Sequence, residues 1–143
     1  MKNLTLEHIA DCCHGTYIGP EEQRNFEVTG VVIDSRKAEA GNLFVAIKGE
    51  RVDGHTFIDA VYGQGAAAVV SEQRLEVPKG PYILVESTAQ ALKDIAAFYR
   101  DSLDIKVVGI TGSVGKTSTK EMIASVLSEK YRVLKTAGNF NNE

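Results

Sequence analysis

The sequence predicts an α/β protein with a mainly parallel sheet. Two observations predict this class. Short β-branched and apolar runs, typical of buried strands, alternate with segments whose apolar residues recur at helical spacing. The connections between them are short, and one strand leads through a glycine-rich loop straight into a helix, which is the order of a right-handed parallel crossover unit.

The first element is predicted to be a short helix over residues 6–14. Thr5 is a favourable N-cap, and Gly15 suits the C′ position that follows a helix.

The two cysteines of the chain, Cys12 and Cys13, are adjacent and cannot form a disulfide framework. Together with Asp11 and His14 they resemble a metal-ligating cluster. Consecutive helical residues point about 100° apart, however, so these side chains cannot converge on one ion. Cys13 lies on the apolar face of the predicted helix, and we expect it in the core.

Four strands and a second short helix follow. The strands are predicted at 28–33, 43–47, 66–70 and 82–85, and the helix at 57–63. Polar loops follow the first two strands, with Asp34-Ser35-Arg36 after one and Lys48 to His55 after the other. Loops that follow parallel strands are where ligands collect in such sheets, although Asp53-Gly54-His55 could equally turn the chain and cap the next helix.

The pattern changes at residue 87, where Ser87 and Gln90 form a capping box. We therefore predict a domain boundary near residue 86, which divides the chain into 1–85 and 86–143. The helix that follows the capping box is predicted to place one apolar stripe inward: Leu92, Ile95, Ala96, Tyr99 and Leu103.

The last part of the chain is predicted to form a β-α-β unit. Strands are expected at 106–110 and 132–135, on either side of a helix over 116–130. Four residues of this helix are predicted to face inward: Met122, Ile123, Val126 and Leu127. An apolar strand edge left open here would be a hazard for aggregation or pairing.

The loop between this strand and helix carries the chemistry of phosphate binding. Gly112 and Gly115 allow positive φ and a close approach of the backbone to phosphate. The N–H groups of the loop and of the helix N-terminus would surround the anion, Lys116 would reach the terminal phosphates, and the Thr117 hydroxyl would ligate Mg²⁺. The predicted nucleotide-binding residues are Gly112, Ser113, Val114, Gly115, Lys116, Thr117 and Ser118.

The loop departs from the general phosphate-loop pattern at one position. Ile110 stands where that pattern has its first glycine, and the internal glycine is Gly112 instead. A generic GTPase is further disfavoured because the chain has no Asn-Lys-x-Asp segment to read guanine. Phosphate binding remains the prediction, since a strand, two glycines and a helix surround Gly-Lys-Thr.

Segments 34–57, 111–122 and 136–143 together resemble the Mur ligase family. They contain Asp-Ser-Arg, Gly-Asn-Leu-Phe-Val-Ala and Gly-Glu-Arg-Val-Asp-Gly-His-Thr-Phe, then Thr-Gly-Ser-Val-Gly-Lys-Thr-Ser-Thr-Lys-Glu-Met, then Thr-Ala-Gly-Asn-Phe-Asn-Asn-Glu. The resemblance implies that 1–85 is an N-terminal α/β domain binding the UDP end of a substrate. It also implies that 86–143 is the incomplete start of a central ATP-binding domain.

The family resemblance implies an ATP-dependent amide-bond-forming ligase of peptidoglycan precursor synthesis, with ATP and Mg²⁺ as cofactors. The most similar branch joins D-Ala-D-Ala to UDP-MurNAc-tripeptide through an acyl phosphate. By this resemblance Lys116 and Thr117 are catalytic, and Thr117 is also the metal ligand. Ser35, Arg36, Gly49 and Arg51 are expected near the uridine end of the substrate. Asn139 and Asn142 are expected to approach substrate or metal-bound phosphate.

Three alternatives stay open. One is a sister ligase that adds diaminopimelate or lysine, although the segment from Thr136 favours the D-Ala-D-Ala branch. Another is a stand-alone UDP-sugar or nucleotide-binding module without catalysis. The third and weakest is a generic GTPase. Residues 86–143 suffice for one β-α-β piece and no complete sheet, so we expect this chain to be a fragment that does not ligate alone.

The composition excludes several further classes. The 143-residue chain has 16 Lys and Arg against 19 Asp and Glu, a net charge of −3. It has no basic excess to neutralise a nucleic-acid backbone. No apolar run approaches the ~18 residues of a membrane span, and the N-terminus lacks a signal-peptide pattern. We expect a cytoplasmic monomer without membrane insertion.

Overall fold

The computed structural model describes residues 4–136. Contacts divide the chain into two compact units, Met1–Asp104 and Ile105–Glu143. The first unit holds a five-stranded sheet, and the second is built on a single helix within its described part. None of the helices in residues 4–136 has the length and apolar character needed to cross a membrane.

The sheet of the first unit has the strand order β1-β5-β4-β3-β2. Its strands are β1 (Thr16–Ile18), β2 (Gly30–Val32), β3 (Asn42–Val45), β4 (Ala68–Ser71) and β5 (Tyr82–Leu84). Strands β2 to β5 are parallel to one another, and β1 is antiparallel to β5. The predicted α/β class with a mainly parallel sheet is therefore confirmed.

Helices cover the sheet on two sides. They are α1 (Leu6–Cys12), α2 (Ile58–Gly63) and α3 (Thr88–Asp101), with short 3₁₀ turns at Glu21–Gln23, Ser35–Lys37 and Gly54–Phe57. Alternation along β3 separates the two layers: Leu43 packs with α1 and α3, whereas Phe44 packs with α2. All four β3 residues are buried, as expected for a central parallel strand.

Helix α1 begins as predicted and ends differently. The Thr5 hydroxyl accepts a hydrogen bond from the His8 N–H, which confirms the N-cap. The left-handed residue after the helix is His14, with φ +53°, rather than the predicted Gly15. Gly15 N–H instead bonds the Ala10 carbonyl at 2.8 Å, which is the C″ position of a Schellman motif. A Cβ on Gly15 would lie 2.5 Å from Ile83, so glycine is needed there for packing.

Strand β1 was not predicted from the sequence. Its three residues are too few to show period-two alternation. The strand exists because its backbone pairs with β5, with Tyr17 opposite Ile83. Long-range pairing of this kind leaves no local sequence signal.

Helix α3 starts where the sequence predicts, with the Ser87 hydroxyl accepting from the Gln90 N–H. Three residues of its predicted inward stripe pack on the core, namely Leu92, Ile95 and Tyr99, and Ala91 and Phe98 join them. The predicted Ala96 and Leu103 are exposed. Packing on the core determines which residues of α3 face inward, because more than one set of apolar residues in this helix has helical spacing.

The packing of α3 also shows to which of the two compact units this helix belongs. The helix shares the apolar cluster of α1 and the sheet, so it belongs to the compact unit that ends at Asp104. The sequence placed the boundary near residue 86 because the capping box marks a change of pattern there. The assignment of separate functions to 1–85 and 86–143 stays a prediction.

In the second unit, α4 covers Lys116–Ser128 and the predicted flanking strands are not formed. Residues 106–110 and 132–135 have no strand partner within the described range, and a strand requires ladder hydrogen bonds to a neighbour. Ala124 is buried, but Met122 and Val126, predicted inward, are 70% and 68% exposed. The inward prediction was wrong for these two because no sheet covers that face among the described residues.

Gly54 gives a prediction about stability. An added Cβ there would lie 2.8 Å from the Ile47 carbonyl oxygen and 2.9 Å from its nitrogen. Both are backbone atoms, so Gly54→Ala should destabilise the first unit by about 1–3 kcal/mol in urea unfolding. Gly63→Ala is the control, because nothing lies within 4 Å of its Cβ position and its stability should change little or rise. Equal effects of the two substitutions would contradict this packing account.

Candidate functional site

The glycine-rich loop has the backbone geometry that phosphate binding requires. Gly112 has φ +152° and Gly115 has φ +77°, conformations that favour glycine. Helix α4 begins at Lys116 immediately after the loop. No atoms lie within 4 Å of a Cβ position at Gly115, so the space beside the loop is open.

The N-terminus of α4 has no side-chain cap. Its N-cap is Gly115, which has no side chain to accept from the first turn. The first N–H groups of a helix have no intrahelical partner, and together they present a partial positive charge. Residues 112–118 are all exposed. An incoming anion can therefore satisfy these donors directly.

Lys116 folds back over the glycine-rich loop. Its Nζ donates to the Gly112 carbonyl oxygen at 2.5 Å. The contact holds the ammonium group against the glycine loop, where it can exchange a neutral carbonyl partner for a phosphate oxygen. Thr117 occupies the next position, in the first turn of α4.

The segment that follows α4 is tied back to the helix by two lysines. Lys120 Nζ donates to the Thr136 carbonyl oxygen at 2.7 Å, and Lys135 pairs with Glu121. The Lys135 hydrogen bond holds the pKa of the Glu121 carboxyl below its usual range. Asn139 and Asn142 lie outside the described residues, so their proposed contacts with substrate or phosphate stay a prediction.

The other predicted site residues belong to the first unit and meet at one edge of its sheet. Strands β2 and β3 are parallel neighbours, with Val32 opposite Phe44. Their C-terminal ends therefore lie side by side. Ser35 and Arg36 follow β2, and the loop with Gly49 and Arg51 follows β3. The topology thus brings these four predicted residues to one edge.

Asp34 organises the turn after β2. Its carboxylate accepts from the Arg36 backbone N–H at 3.1 Å and from the Arg36 guanidinium at 2.9 and 2.8 Å. These hydrogen bonds lower the pKa of Asp34 to about 2. The side chain of Arg36 is 87% exposed, but its charge is already paired. Asp34 had no predicted role, although an Asp at the end of a strand is a signal for a turn in which its carboxylate accepts from the backbone N–H two residues on.

The loop after β3 is closed on itself. Lys48 and Asp53 form an antiparallel bridge, and the Gly49 N–H donates to the Val52 carbonyl oxygen at 2.9 Å. Arg51 is exposed at the tip and forms no ion pair with any residue between 4 and 136. Of the two predicted arginines, Arg51 therefore has the available charge.

The cysteines are structural. Cys13 is buried, which confirms its predicted core position. Burial raises the pKa of the Cys12 thiol to about 12 and raises that of Cys13 as well. Both side chains therefore stay protonated at neutral pH and are weak nucleophiles.

Comparison with known proteins agrees with these features. The description "Mur ligase family, catalytic domain" matches residues 27–100, and "Mur ligase middle domain" matches residues 110–143. A Bacillus subtilis UDP-N-acetylmuramoyl-tripeptide--D-alanyl-D-alanine ligase is 43% identical over 99% of this chain, which covers 31% of that relative.

Two solved structures are also similar. MurF from Acinetobacter baumannii superposes with a TM-score of 0.86 and 34% identity over 97% of this chain and 30% of its own. MurF ligase from Thermotoga maritima in complex with ADP gives a TM-score of 0.71 and 40% identity over 78% of this chain and 26% of its own. The chain thus spans less than a third of the length of each of these relatives.

Proposed function

Since the chain belongs to the Mur ligase family, we propose that it carries the UDP-substrate unit and the start of the ATP-binding unit of a peptidoglycan-precursor ligase. The family resemblance drawn from the sequence is confirmed. The reaction that we propose joins D-alanyl-D-alanine to UDP-N-acetylmuramoyl-tripeptide, as the name of the Bacillus subtilis relative states for that protein.

The observation that carries this proposal is the loop before α4. Two glycines at positive φ, an uncapped helix N-terminus and a lysine held against the loop form a site for the phosphates of a nucleotide. The ADP complex of the Thermotoga maritima neighbour supports an adenine nucleotide as the ligand.

The residues present fit ATP with Mg²⁺. Gly112 to Ser118 would surround the phosphates with backbone N–H groups, and Lys116 would neutralise charge on the terminal phosphates. The Thr117 hydroxyl is the residue that would ligate Mg²⁺. When bound, ATP would supply the phosphoryl group that activates the substrate carboxylate as an acyl phosphate. The contribution of Lys116 is to position that group and to offset its developing charge.

The sheet edge of the first unit would bind the UDP end of the substrate. A diphosphate is an anion, and Arg51 is the arginine at this edge whose charge is unpaired. The Ser35 hydroxyl and the Gly49 backbone lie in the two neighbouring loops. Arg36, already paired with Asp34, would bind as part of a preformed turn.

The test is calorimetric binding of UDP-MurNAc-tripeptide to this chain. Arg51→Ala should weaken binding about tenfold, the effect of losing roughly one charged hydrogen bond. Arg74→Ala is the matched control, an exposed arginine in the β4–β5 connection, and should bind like the parent chain.

The outcomes separate the candidate functions. No binding of the tripeptide substrate, or equal effects of the two arginine substitutions, would contradict the proposed site. Preference for UDP-MurNAc-dipeptide over the tripeptide would favour a ligase that adds the third amino acid instead. A chain that binds UDP-sugars equally well whatever their peptide would behave as a general UDP-sugar module.

A further inference from the structure

We propose that His55 is a positioning residue, which holds the substrate loop 48–53 in place by bridging it to the end of β4. This inference rests on the proposed function of that loop in binding the UDP substrate. The sequence allows two interpretations of His55, as a residue that contacts a ligand or as a residue of a simple turn, and the structure supports a third.

Both nitrogens of the His55 ring have partners. Nδ1 lies 2.6 Å from Asp53 Oδ1, and Nε2 accepts a hydrogen bond from the Glu72 backbone N–H at 3.0 Å. The imidazole is only 6% exposed. A side chain enclosed in this way with no free ring nitrogen cannot also contact a substrate, so its role has to be indirect.

These partners determine the protonation state of the ring. The Glu72 backbone N–H can only donate, so Nε2 has to be the unprotonated acceptor. The proton of the neutral ring is then on Nδ1, from which it donates to the Asp53 carboxylate. This bond adds to the one from the His55 backbone N–H at 3.0 Å, and together they keep the pKa of Asp53 below its ordinary value.

Asp53 is the residue that closes the loop. Its backbone pairs with that of Lys48 in an isolated antiparallel β-bridge, and the adjacent Gly54 N–H donates to the Ile47 carbonyl oxygen at 2.9 Å. These contacts attach the loop only to the end of its own strand, β3. The His55 ring adds the cross-link to the next strand, because Glu72 directly follows β4.

The cross-link continues beyond β4. The Glu72 carboxylate accepts from the Thr88 backbone N–H at 2.7 Å and from the Thr88 hydroxyl at 3.0 Å. Thr88 is the first residue of α3, where a carboxylate also stabilises the helix N-terminus. The path Asp53–His55–Glu72–Thr88 therefore connects the substrate loop to two other elements of the unit.

The two hydrogen bonds of the His55 ring, with Asp53 and with the Glu72 backbone N–H, can be removed one at a time by substitution. In His55→Asn, the δ-nitrogen can still donate to Asp53, but the acceptor for Glu72 is lost. In His55→Gln, the ε-oxygen can accept from Glu72, but the donor to Asp53 is lost. Because a bridge needs both links, each variant should weaken binding of UDP-MurNAc-tripeptide about fivefold, through a smaller population of the binding-competent loop. His8→Gln, on the exposed face of α1, is the matched histidine control.

A double substitution distinguishes positioning from a general loss of stability. If His55 acts through the loop that presents Arg51, then His55→Asn should add little to the effect of Arg51→Ala. Fully additive losses, or unchanged binding in both His55 variants, would overturn the proposal. Long-range nitrogen–proton spectra of the parent chain should show protonated Nδ1 and unprotonated Nε2 for His55, and the opposite tautomer would also overturn it.

The same binding measurements distinguish failure of the proposed function from failure of the role proposed for His55. If the parent chain does not bind UDP-MurNAc-tripeptide, both the substrate site and the role of His55 are contradicted. If the parent chain, His8→Gln and the two His55 variants all bind UDP-MurNAc-tripeptide equally, only the positioning role of His55 is contradicted.

Discussion

Lys116→Ala is expected to weaken binding of Mg²⁺-ATP to this chain at least about tenfold, because a charged hydrogen bond to phosphate contributes roughly 1.5–3 kcal/mol. The lysine already lies over the loop, with its Nζ at 2.5 Å from the Gly112 carbonyl oxygen. Alanine keeps the helix and removes the ammonium group that we propose to bind the phosphates. Calorimetric titration of the parent chain and the variant measures the difference.

Lys130→Ala is the matched control for this experiment. Lys130 follows α4 at the opposite end from the glycine loop, and its ammonium lies over the Tyr131 ring. Its removal changes the net charge by the same amount, so the two variants separate a local contact from a general electrostatic effect. Equal affinities in Lys116→Ala and the parent chain would contradict the assignment of the loop.

Phe44→Ala is expected to destabilise the first unit by about 3–5 kcal/mol, the usual loss for a buried aromatic residue. Phe44 is fully buried at the centre of β3, where it packs with α2 and with Tyr82 on β5. The parallel neighbours of β3 restrict collapse of the cavity, so its cost should not be relieved. Urea unfolding of the variant and the parent chain gives the difference in free energy.

Val77→Ala provides the comparison for this substitution. Val77 is 85% exposed in the β4–β5 connection, so its truncation should change stability by less than about 0.5 kcal/mol. A loss below about 1 kcal/mol for Phe44→Ala would contradict the position of β3 in the core.

The elements with strong local signals could be predicted from the sequence. The central strands β3 to β5 are continuous apolar runs, and α3 begins at a capping box in which Ser87 accepts from Gln90. The two glycines of the loop could be predicted individually, since positive φ at Gly112 and Gly115 is a backbone requirement that few other residues meet.

The features that depend on distant partners could not be predicted in this way. Strand β1 exists only through its pairing with β5, and the exposure of Ala96 and Leu103 on α3 depends on which part of the helix packs on the core. The predicted strands at 106–110 and 132–135 have apolar sequences but no ladder partner in the described part of the chain. A local apolar pattern indicates that a segment can form a strand, but the strand forms only where a neighbouring strand pairs with it.

The candidate substrate site at the ends of β2 and β3 also combines features that the sequence could predict with features that it could not. The family resemblance assigned Ser35, Arg36, Gly49 and Arg51 to the substrate, and the topology puts the loops that contain them side by side. That Arg36 is paired while Arg51 is not could not be read from the sequence, because it depends on the turn that Asp34 caps. The contact between His55 and Glu72 likewise joins residues 17 positions apart.

Amide chemical shifts of the nitrogen-labelled chain, titrated with Mg²⁺-ATP and separately with UDP-MurNAc-tripeptide, test the central claim most directly. We predict that ATP shifts the amides of 112–118 in the parent chain, and that Lys116→Ala needs at least about tenfold more ATP to reach the same shifts. The UDP substrate should instead shift the amides of 35–37 and 48–53. Absence of ATP-dependent shifts in 112–118, or the same ATP concentration at half-saturation in Lys116→Ala and the parent chain, would contradict the account.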